Sequence, residues 1–188
     1  MHKSKSAFTI VELLIVIVVI AILASISVVA YNGIQTRAKN SQVSSDLNTL
    51  EKAVQVARIN TGRTLFSVTG SGHSGSPCFT SENTYPADLP SSHGCWTRYN
   101  TTLTNLANAA NVNLDSLRGG DPWGAPYYID ENEGENYNSQ GLCRSDVIGS
   151  FTNPLPASRD GYDLANGGTT GYNWLRNKRV ITAGVNSC

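Results

Sequence analysis

An uninterrupted apolar stretch, FTIVELLIVIVVIAILASISVVA at residues 8–30, constrains the fold of this chain more than any other feature. A helix rises about 1.5 Å per residue, so as a helix the stretch spans ~35 Å and can cross a bilayer core of ~30 Å. In hydrocarbon every backbone N–H and C=O must be satisfied inside the segment, which favours a helix over other conformations. The stretch therefore predicts a single membrane-spanning helix.

Glu12 is the one charged residue in this stretch. A carboxylate in the middle of a membrane costs about 2.5–3.5 kcal/mol, so it needs a partner or a path to water. One interpretation is structural: a carboxylate near a helix start reaches the headgroups and is stabilised by the helix dipole. The other is that Glu12 pairs with a group on a second molecule.

The helix is predicted to continue beyond the membrane as an amphipathic segment over residues 31–61. Its apolar residues recur at steps of three and four, which places them on one face of a helix. The predicted stop is the sequence Asn60-Thr61-Gly62, because glycine suits the left-handed position after a helix. The members of this stripe are Val43, Leu47, Leu50, Val54 and Ala57.

The N-terminal sequence SAFTIVELLIVIVVIAILASI resembles the start of type IV pilins and type II secretion pseudopilins. Lys3 and Lys5 make residues 1–7 a positive leader, and such flanks stay cytoplasmic. The resemblance implies that a prepilin peptidase cuts between Ala7 and Phe8 and methylates the new Phe8 amine. The family usually has glycine where this chain has Ala7, which is still a small residue.

The same resemblance implies a role for Glu12 in assembly, beside the amino terminus of a neighbouring subunit's Phe8. Removing one member of an ion pair in a medium of low dielectric costs about 3–5 kcal/mol, so the pair would set the register between subunits. The implied partners are further copies of the chain, the peptidase, an inner-membrane assembly platform, and lipid before assembly.

Four cysteines lie on one side of the apolar stretch: Cys78, Cys95, Cys143 and Cys188. An even number in a domain tethered outside a membrane predicts two disulfides, for which three pairings exist. We favour Cys78 with Cys95 and Cys143 with Cys188, since each closes a local loop. The alternative is a zinc site made with His73 and His93, but its spacing matches no common ligand pattern.

Residues 62–188 are rich in glycine, asparagine, serine and threonine, a composition that favours turns and strands. Short strands are predicted at LFSVT, DVIGSF, GYDLA, GYNWL and RVITAG, and one or two helices at residues 101–118, capped by Thr101 or Thr102. We therefore expect an α+β, pilin-like fold, with the long helix packed on a small antiparallel sheet. The expected parts are a leader at 1–7, a membrane and assembly helix at 8–30, an amphipathic continuation at 31–61 and a disulfide-stapled head at 62–188.

The sequence GGDPWGAPYYIDENEGE at residues 119–135 predicts a tight turn between strands. Its DPWGAPY part, residues 121–127, resembles a signature of the major pseudopilin of type II secretion, a family that often binds calcium in the following loop. Oxygen donors stand there, but their spacing is not that of an EF-hand, so a solvated acidic turn is the favoured interpretation. These donors are Asp130, Glu131, Glu133 and Glu135.

Other ligand patterns in the head are weak. Gly70, Gly72 and Gly75 fit GxGxxG, but Pro77 and Cys78 follow where a dinucleotide site needs a helix. Cations beside aromatic residues could grip single-stranded DNA, although the chain balances 14 basic against 14 acidic residues and shows no basic stripe. This group comprises Tyr172, Trp174, Arg176, Lys178 and Arg179.

No catalytic pattern is present in the sequence, so we predict no enzyme and no cofactor. The resemblance implies a structural subunit of a type IV pilus-like filament for adhesion, motility or DNA uptake. The first alternative is a pseudopilin of type II secretion, and the second is a monomeric, membrane-anchored binding module. In each case the chain spans the cytoplasmic membrane once, with its head outside the cytoplasm.

Overall fold

The computed structural model describes residues 9–70, 76–78, 84–131, 136–137, 142–143, 145–153, 155 and 173–181. For residues 29, 76, 136–137 and 142–143 it describes the backbone alone. The chain forms two compact units, residues 1–41 and 42–188, and one helix contributes residues to both. The long helix and the small antiparallel sheet give the expected α+β, pilin-like arrangement.

Helix α1 runs from Ile10–Thr61, and it ends where the sequence predicts. Gly62 follows it with φ of +63°, and its N–H donates to Arg58 O at 2.8 Å. A glycine adopts this left-handed conformation without steric cost, so the chain can leave the helix there.

Within residues 42–188, α1 packs on the sheet through its predicted stripe, which is confirmed. Val43, Leu47, Leu50, Val54 and Ala57 are each at most 1% exposed. They share one core cluster with Tyr99, Leu103 and Leu106 of helix α3 (Gly94–Ala110) and with Ile129, Ile148 and Ile181 of the sheet. Burying one face of each element against the others is what holds this unit together.

Two local predictions are wrong. LFSVT, expected as a strand, is the short helix α2 (Leu65–Thr69): Thr64 Oγ1 accepts from Ser67 N–H at 3.2 Å, and Gly70 closes the end with φ of +73°. These caps outweigh the strand preference of valine and threonine. Helix α3 begins at Gly94 rather than at residue 101, because His93 Nδ1 accepts from Cys95 N–H at 3.1 Å and caps it.

The main sheet has the order β1-β4-β5, with both pairs antiparallel. Its strands are β1 (Tyr128–Asp130), β4 (Asp146–Phe151) and β5 (Leu175–Ile181). Strands β2 (Asn136–Tyr137) and β3 (Leu142–Cys143) form a separate hairpin-like pair. Every residue of β4 is buried, since the sheet has a core cluster on each face. Three short 3-10 helices lie at Ser76–Cys78, Pro86–Asp88 and Asp115–Leu117.

A β-bulge interrupts the pairing of β4 with β5. Ile148 faces Arg179 and Ser150 faces Arg176, so Gly149 stands opposite two residues of β5. Asn177, inside the bulge, has φ of +52°. Because one residue is added to the strand, Arg176 and Arg179 lie on the same face of the sheet.

Cys78 and Cys95 form a disulfide, the pairing favoured from the sequence, with Cα atoms 4.5 Å apart. It joins the 3-10 helix at Ser76–Cys78 to the first turn of α3, and it excludes both thiols as zinc ligands. His73, Cys188 and the side chain of Cys143 lie outside the described residues, so the second pairing stays a prediction.

Ion pairs and hydrogen bonds join α1 to the sheet and to the residue that precedes β1. Arg58 Nη2 lies 2.9 Å from Asp146 Oδ2, Arg179 Nη1 lies 3.0 Å from Glu51 Oε2, and Tyr127 Oη donates to Asp46 Oδ2 at 2.6 Å. The Asp146 side chain is fully buried, so its charge depends on its partners.

We expect Arg58→Ala to destabilise residues 42–188 by about 3–5 kcal/mol, because it leaves the Asp146 carboxylate buried without its guanidinium. Denaturant unfolding of the full chain in micelles, followed by near-ultraviolet circular dichroism, measures this. The exposed Arg63→Ala is the control, with an expected change within about 0.5 kcal/mol. A loss below about 1 kcal/mol in Arg58→Ala would contradict the dependence of Asp146 on this pair.

Three buried tyrosines predict that the stability of the fold decreases at alkaline pH. Burial raises the pKa of Tyr99 and Tyr127 above the ordinary tyrosine range, and it raises the pKa of Tyr85 to about 12. Unfolded tyrosines lose their protons near pH 10, whereas these keep theirs in the fold. The unfolded state thus binds fewer protons above pH 10, and stability falls as the pH rises through that value toward 12.

Melting temperatures at pH 8, 10 and 11 test this expectation. Tyr127→Phe, which removes one such group, is expected to show a smaller fall between pH 10 and 11. Tyr31→Phe, on an exposed side chain, should keep the full fall. A melting temperature that does not change over this range would refute the prediction.

Candidate functional site

The start of α1 is closed by a reciprocal pair of contacts between Thr9 and Glu12. Glu12 Oε2 accepts from Thr9 N–H at 2.9 Å and from the Thr9 hydroxyl at 2.7 Å. In return, Glu12 N–H donates to Thr9 Oγ1 at 3.3 Å. This is a capping box, which satisfies donors that a helix start otherwise leaves without partners.

The helix behind this cap exposes an unbroken apolar surface. Its large apolar side chains up to Ile34 are between 47% and 85% exposed within the chain. The first part of α1 is the one described helix that is long and apolar enough to cross a membrane. The exposed residues are Ile10, Val11, Leu13, Leu14, Ile15, Val16, Ile17, Val18, Val19, Ile20, Ile22, Leu23, Ile26, Val28, Tyr31 and Ile34.

The polar side chains of this part of the helix are satisfied by the helix itself. Ser25 Oγ donates to Ile22 O and Ser27 Oγ donates to Leu23 O, both at 2.8 Å. With Glu12 bound to Thr9, each polar side chain between residues 10 and 30 has a partner within four residues. The two serine hydroxyls therefore need no water in lipid, whereas the Glu12 carboxylate still needs a further partner or contact with water.

The cap leaves part of the Glu12 carboxylate available. Both hydrogen bonds from Thr9 go to Oε2, and no described group donates to Oε1. A carboxylate oxygen of this kind can accept from an ammonium group on a second molecule while the other oxygen keeps the cap. Ala7 and Phe8 precede the described residues, so their geometry is not part of this site.

Thr9 is the residue that the sequence analysis missed. The signal was present, because Thr9-Ile10-Val11-Glu12 fits the S/T-x-x-E pattern of a capping box.

A second polar site fixes the turn at Asp121, which is buried. Its Oδ1 accepts from the N–H groups of Trp123 and Ala125 at 2.9 and 3.0 Å, and its Oδ2 accepts from the Ser150 hydroxyl on β4. A Cβ on Gly120, where φ is +78°, would lie 2.3 Å from Ala125 O. The residues of this turn therefore act together as a structural link between the chain before β1 and the sheet.

The cationic side chains proposed to contact DNA have different surroundings in the structure. Arg176 Nε donates to Phe151 O at 2.7 Å and its guanidinium stacks 3.9 Å from the Trp123 ring centroid. Arg179 binds Glu51 and Ser44 on α1, whereas Lys178 is exposed. Trp174 is buried and Tyr172 lies outside the described residues. The described members of the group thus form no continuous basic surface.

The proposed calcium ligands fall partly outside the described residues. Asp130 and Glu131 are fully buried, and Tyr128 Oη donates to Asp130 Oδ2 at 3.1 Å. Glu133 and Glu135 are not described. In the described part of the chain no three His, Cys, Asp or Glu side chains are grouped to hold a metal ion.

Residues 2–28 match the family model of the prokaryotic N-terminal methylation motif. The chain carries the prepilin signature of type IV pilins and pseudopilins. The match covers the capping box and most of the exposed apolar part of α1. The family that this motif is typical of is structural rather than catalytic. No curated protein and no solved structure matches the chain. The resemblance of the Asp121 turn to a major-pseudopilin signature stays a prediction.

We expect Thr9→Val to destabilise the start of α1. The substitution removes the hydroxyl that donates to Glu12 Oε2 and accepts from Glu12 N–H. Losing such a cap costs about 1 kcal/mol, so the amides of Glu12 and Leu13, which donate to Thr9, should exchange with deuterium roughly fivefold faster. Nuclear magnetic resonance of the full chain in micelles measures these rates. Thr9→Ser keeps the hydroxyl and should preserve the slow rates. If Thr9→Val exchanged as slowly as the parent chain, the cap would have no energetic role.

Proposed function

We propose that this chain is a structural subunit of a type IV pilus-like filament. A prepilin peptidase cuts it between Ala7 and Phe8 and methylates the Phe8 amine, and the mature chain polymerises through α1. The observation that carries the proposal is the capped apolar helix, exposed along its length, most of which lies inside the prepilin motif.

In this proposal the exposed apolar surface of α1 is covered in two successive environments, first by lipid and then by neighbouring copies of the chain. Side chains such as Ile15 and Leu23, more than half exposed in the single chain, must be covered by something other than water. Lipid covers them while the subunit waits in the cytoplasmic membrane. In the filament, the same surfaces of neighbouring copies cover one another, and an inner-membrane assembly platform drives the exchange.

The Glu12 carboxylate sets the register in this proposal. Its Oε1 faces the ammonium group of a neighbouring subunit's Phe8, while Oε2 keeps the hydrogen bonds from Thr9. Apolar packing alone does not fix how far one helix slides along another, whereas a charge pair in a medium of low dielectric does.

The division of the chain follows from this role. Residues 1–7 are the leader, residues 8–30 the membrane and assembly helix, residues 31–61 its amphipathic continuation, and residues 62–188 the head. The head lies outside the cytoplasm, where an oxidising compartment suits the Cys78–Cys95 disulfide.

A pseudopilin of type II secretion is the second candidate, favoured by the rigid Asp121 turn and its resemblance to the major-pseudopilin signature. The two candidates share processing and assembly through α1. They differ in where the filament ends, because a pilus reaches the cell surface and a pseudopilus serves secretion in the periplasm.

The test is intact-mass spectrometry, without reduction, of material sheared from the surface of cells that carry an assembly system. We expect the parent chain there, beginning at methylated Phe8 and four hydrogens lighter from two disulfides. Glu12→Gln removes the charge and should reduce the sheared protein at least tenfold, with the processed chain retained in the membrane. Ser25→Ala, on the same helix, is the matched control and should assemble normally.

Each other result points to a different conclusion. Normal filaments of Glu12→Gln would refute the register role of the carboxylate. A processed chain that never reaches the surface, together with trapped secretion substrates after deletion of the gene, would identify a pseudopilin. A membrane chain that keeps residues 1–7 would favour an anchored binding module.

A further inference from the structure

The outward face of α3 carries a stripe of threonine and asparagine. Its residues are spaced by four, three, four and three positions, and all are exposed. At about 1.5 Å per residue the stripe is ~21 Å long. It consists of Thr97, Thr101, Thr104 and Asn108, and it ends at Asn111 just beyond the helix.

This composition is unusual for a solvent-facing helix surface. Threonine and asparagine rank well below alanine, lysine and glutamate in helix propensity. Exposed faces are ordinarily filled with strong, charged helix formers, yet Arg98 is the only charged residue in α3. Helix stability therefore does not explain the choice of residues along this face.

Residues of the stripe line two open, shallow clefts of about 530 and 420 Å³, which share Thr104 and Arg118 as lining residues. The first cleft lies toward the end of α3 and adds the side chains of Asn108, Asn111 and Asn113. The second lies toward its start and adds Asn100 and Asn105. Together they form one amide-rich surface, which we call the α3 groove.

The charges in the α3 groove cancel each other. Arg118 Nε donates to Asp115 Oδ1 at 2.9 Å, and this hydrogen bond lowers the pKa of Asp115, so both side chains are ionised and paired. Arg118 Nη2 also donates to Thr104 Oγ1 at 3.1 Å. A guanidinium held in this way attracts a free anion weakly, and no other charged residue lines either cleft.

The groove nevertheless contains many hydrogen-bonding groups, both donors and acceptors. Thr97, Thr101 and Thr104 each donate their hydroxyl hydrogen to a carbonyl one turn back in the chain, so their oxygens can act only as acceptors, and Thr104 Oγ1 already accepts from Arg118. Asn100 and Asn105 donate to Trp96 O and Thr69 O, and Asn113 Oδ1 accepts from Asp115 N–H. The side-chain amides of Asn108 and Asn111 have no hydrogen bond within the described residues, and each offers donors and an acceptor. Asn100 Oδ1 is buried, and no described group donates to it.

We propose that the α3 groove binds a neutral, polyhydroxylated glycan. Each sugar hydroxyl can donate to a threonine or asparagine oxygen and accept from an asparagine amide, which matches the mixed groups of the groove. The paired Arg118 and Asp115 disfavour a charged ligand. The site lies outside the prepilin motif and gives the head a ligand independent of assembly.

The test uses the unassembled full chain in micelles of a zwitterionic detergent that has no sugar headgroup. Neutral tetrasaccharides of glucose, galactose, mannose and N-acetylglucosamine are screened by saturation-transfer nuclear magnetic resonance, and affinities are measured by calorimetry. A sulfated tetrasaccharide is the charged comparison. We expect at least one neutral member to bind, and Asn108→Ala and Thr104→Val to weaken it at least tenfold.

Thr49→Val is the matched control, since Thr49 on α1 is also exposed and also donates to a carbonyl one turn back, at 3.1 Å. It should leave affinity unchanged, and near-ultraviolet circular dichroism checks that all variants fold alike. The proposal is overturned if no neutral tetrasaccharide binds at millimolar concentration, if the sulfated one alone binds, or if both groove variants bind as the parent does. Because the chain is unassembled, these results are independent of filament formation.

Discussion

A carboxylate inside an apolar helix is the constraint on which the N-terminal part of this protein depends. The helix cannot enter lipid unless Glu12 has a partner, and the chain supplies one three residues away in Thr9. The cap uses one carboxylate oxygen, so a single residue can serve the isolated subunit and still accept an ammonium group from a neighbour. In the filament that we propose, the start of α1 would keep the same cap that it has in the single chain.

The fold of the head depends on a different feature: the second half of α1 makes both apolar and polar contacts with it. The second half of α1 gives its apolar stripe to the core and three polar residues to the sheet region, through Asp46, Glu51 and Arg58. The α3 face that points away from this core is then free to carry groups that contribute little to folding. Stability and recognition are thereby assigned to opposite sides of α3.

The long periodic patterns could be predicted from the sequence, whereas the outcome of competition between caps and local propensities could not. The apolar run and the stripe ending at Ala57 span many residues, so single errors do not change their meaning. LFSVT failed because two caps, at Thr64 and Gly70, decide the conformation of only five residues. The start of α3 was missed because a histidine caps it, and histidine is not among the preferred capping residues. Spatial groups such as the α3 groove have no contiguous sequence pattern at all.

The bulge in β5 has a consequence for how this strand tolerates change. In a regular strand, residues an odd number apart point to opposite faces, yet Arg176 and Arg179 share a face because Asn177 adds one position. Deleting Asn177 would restore strict alternation and keep Arg179 on the face of Glu51, whereas regular pairing of the strand at its present length, without the bulge, would turn Arg179 away from Glu51. The bulge thus accommodates the additional residue, so that the side chains before and after it keep the faces that the sheet requires.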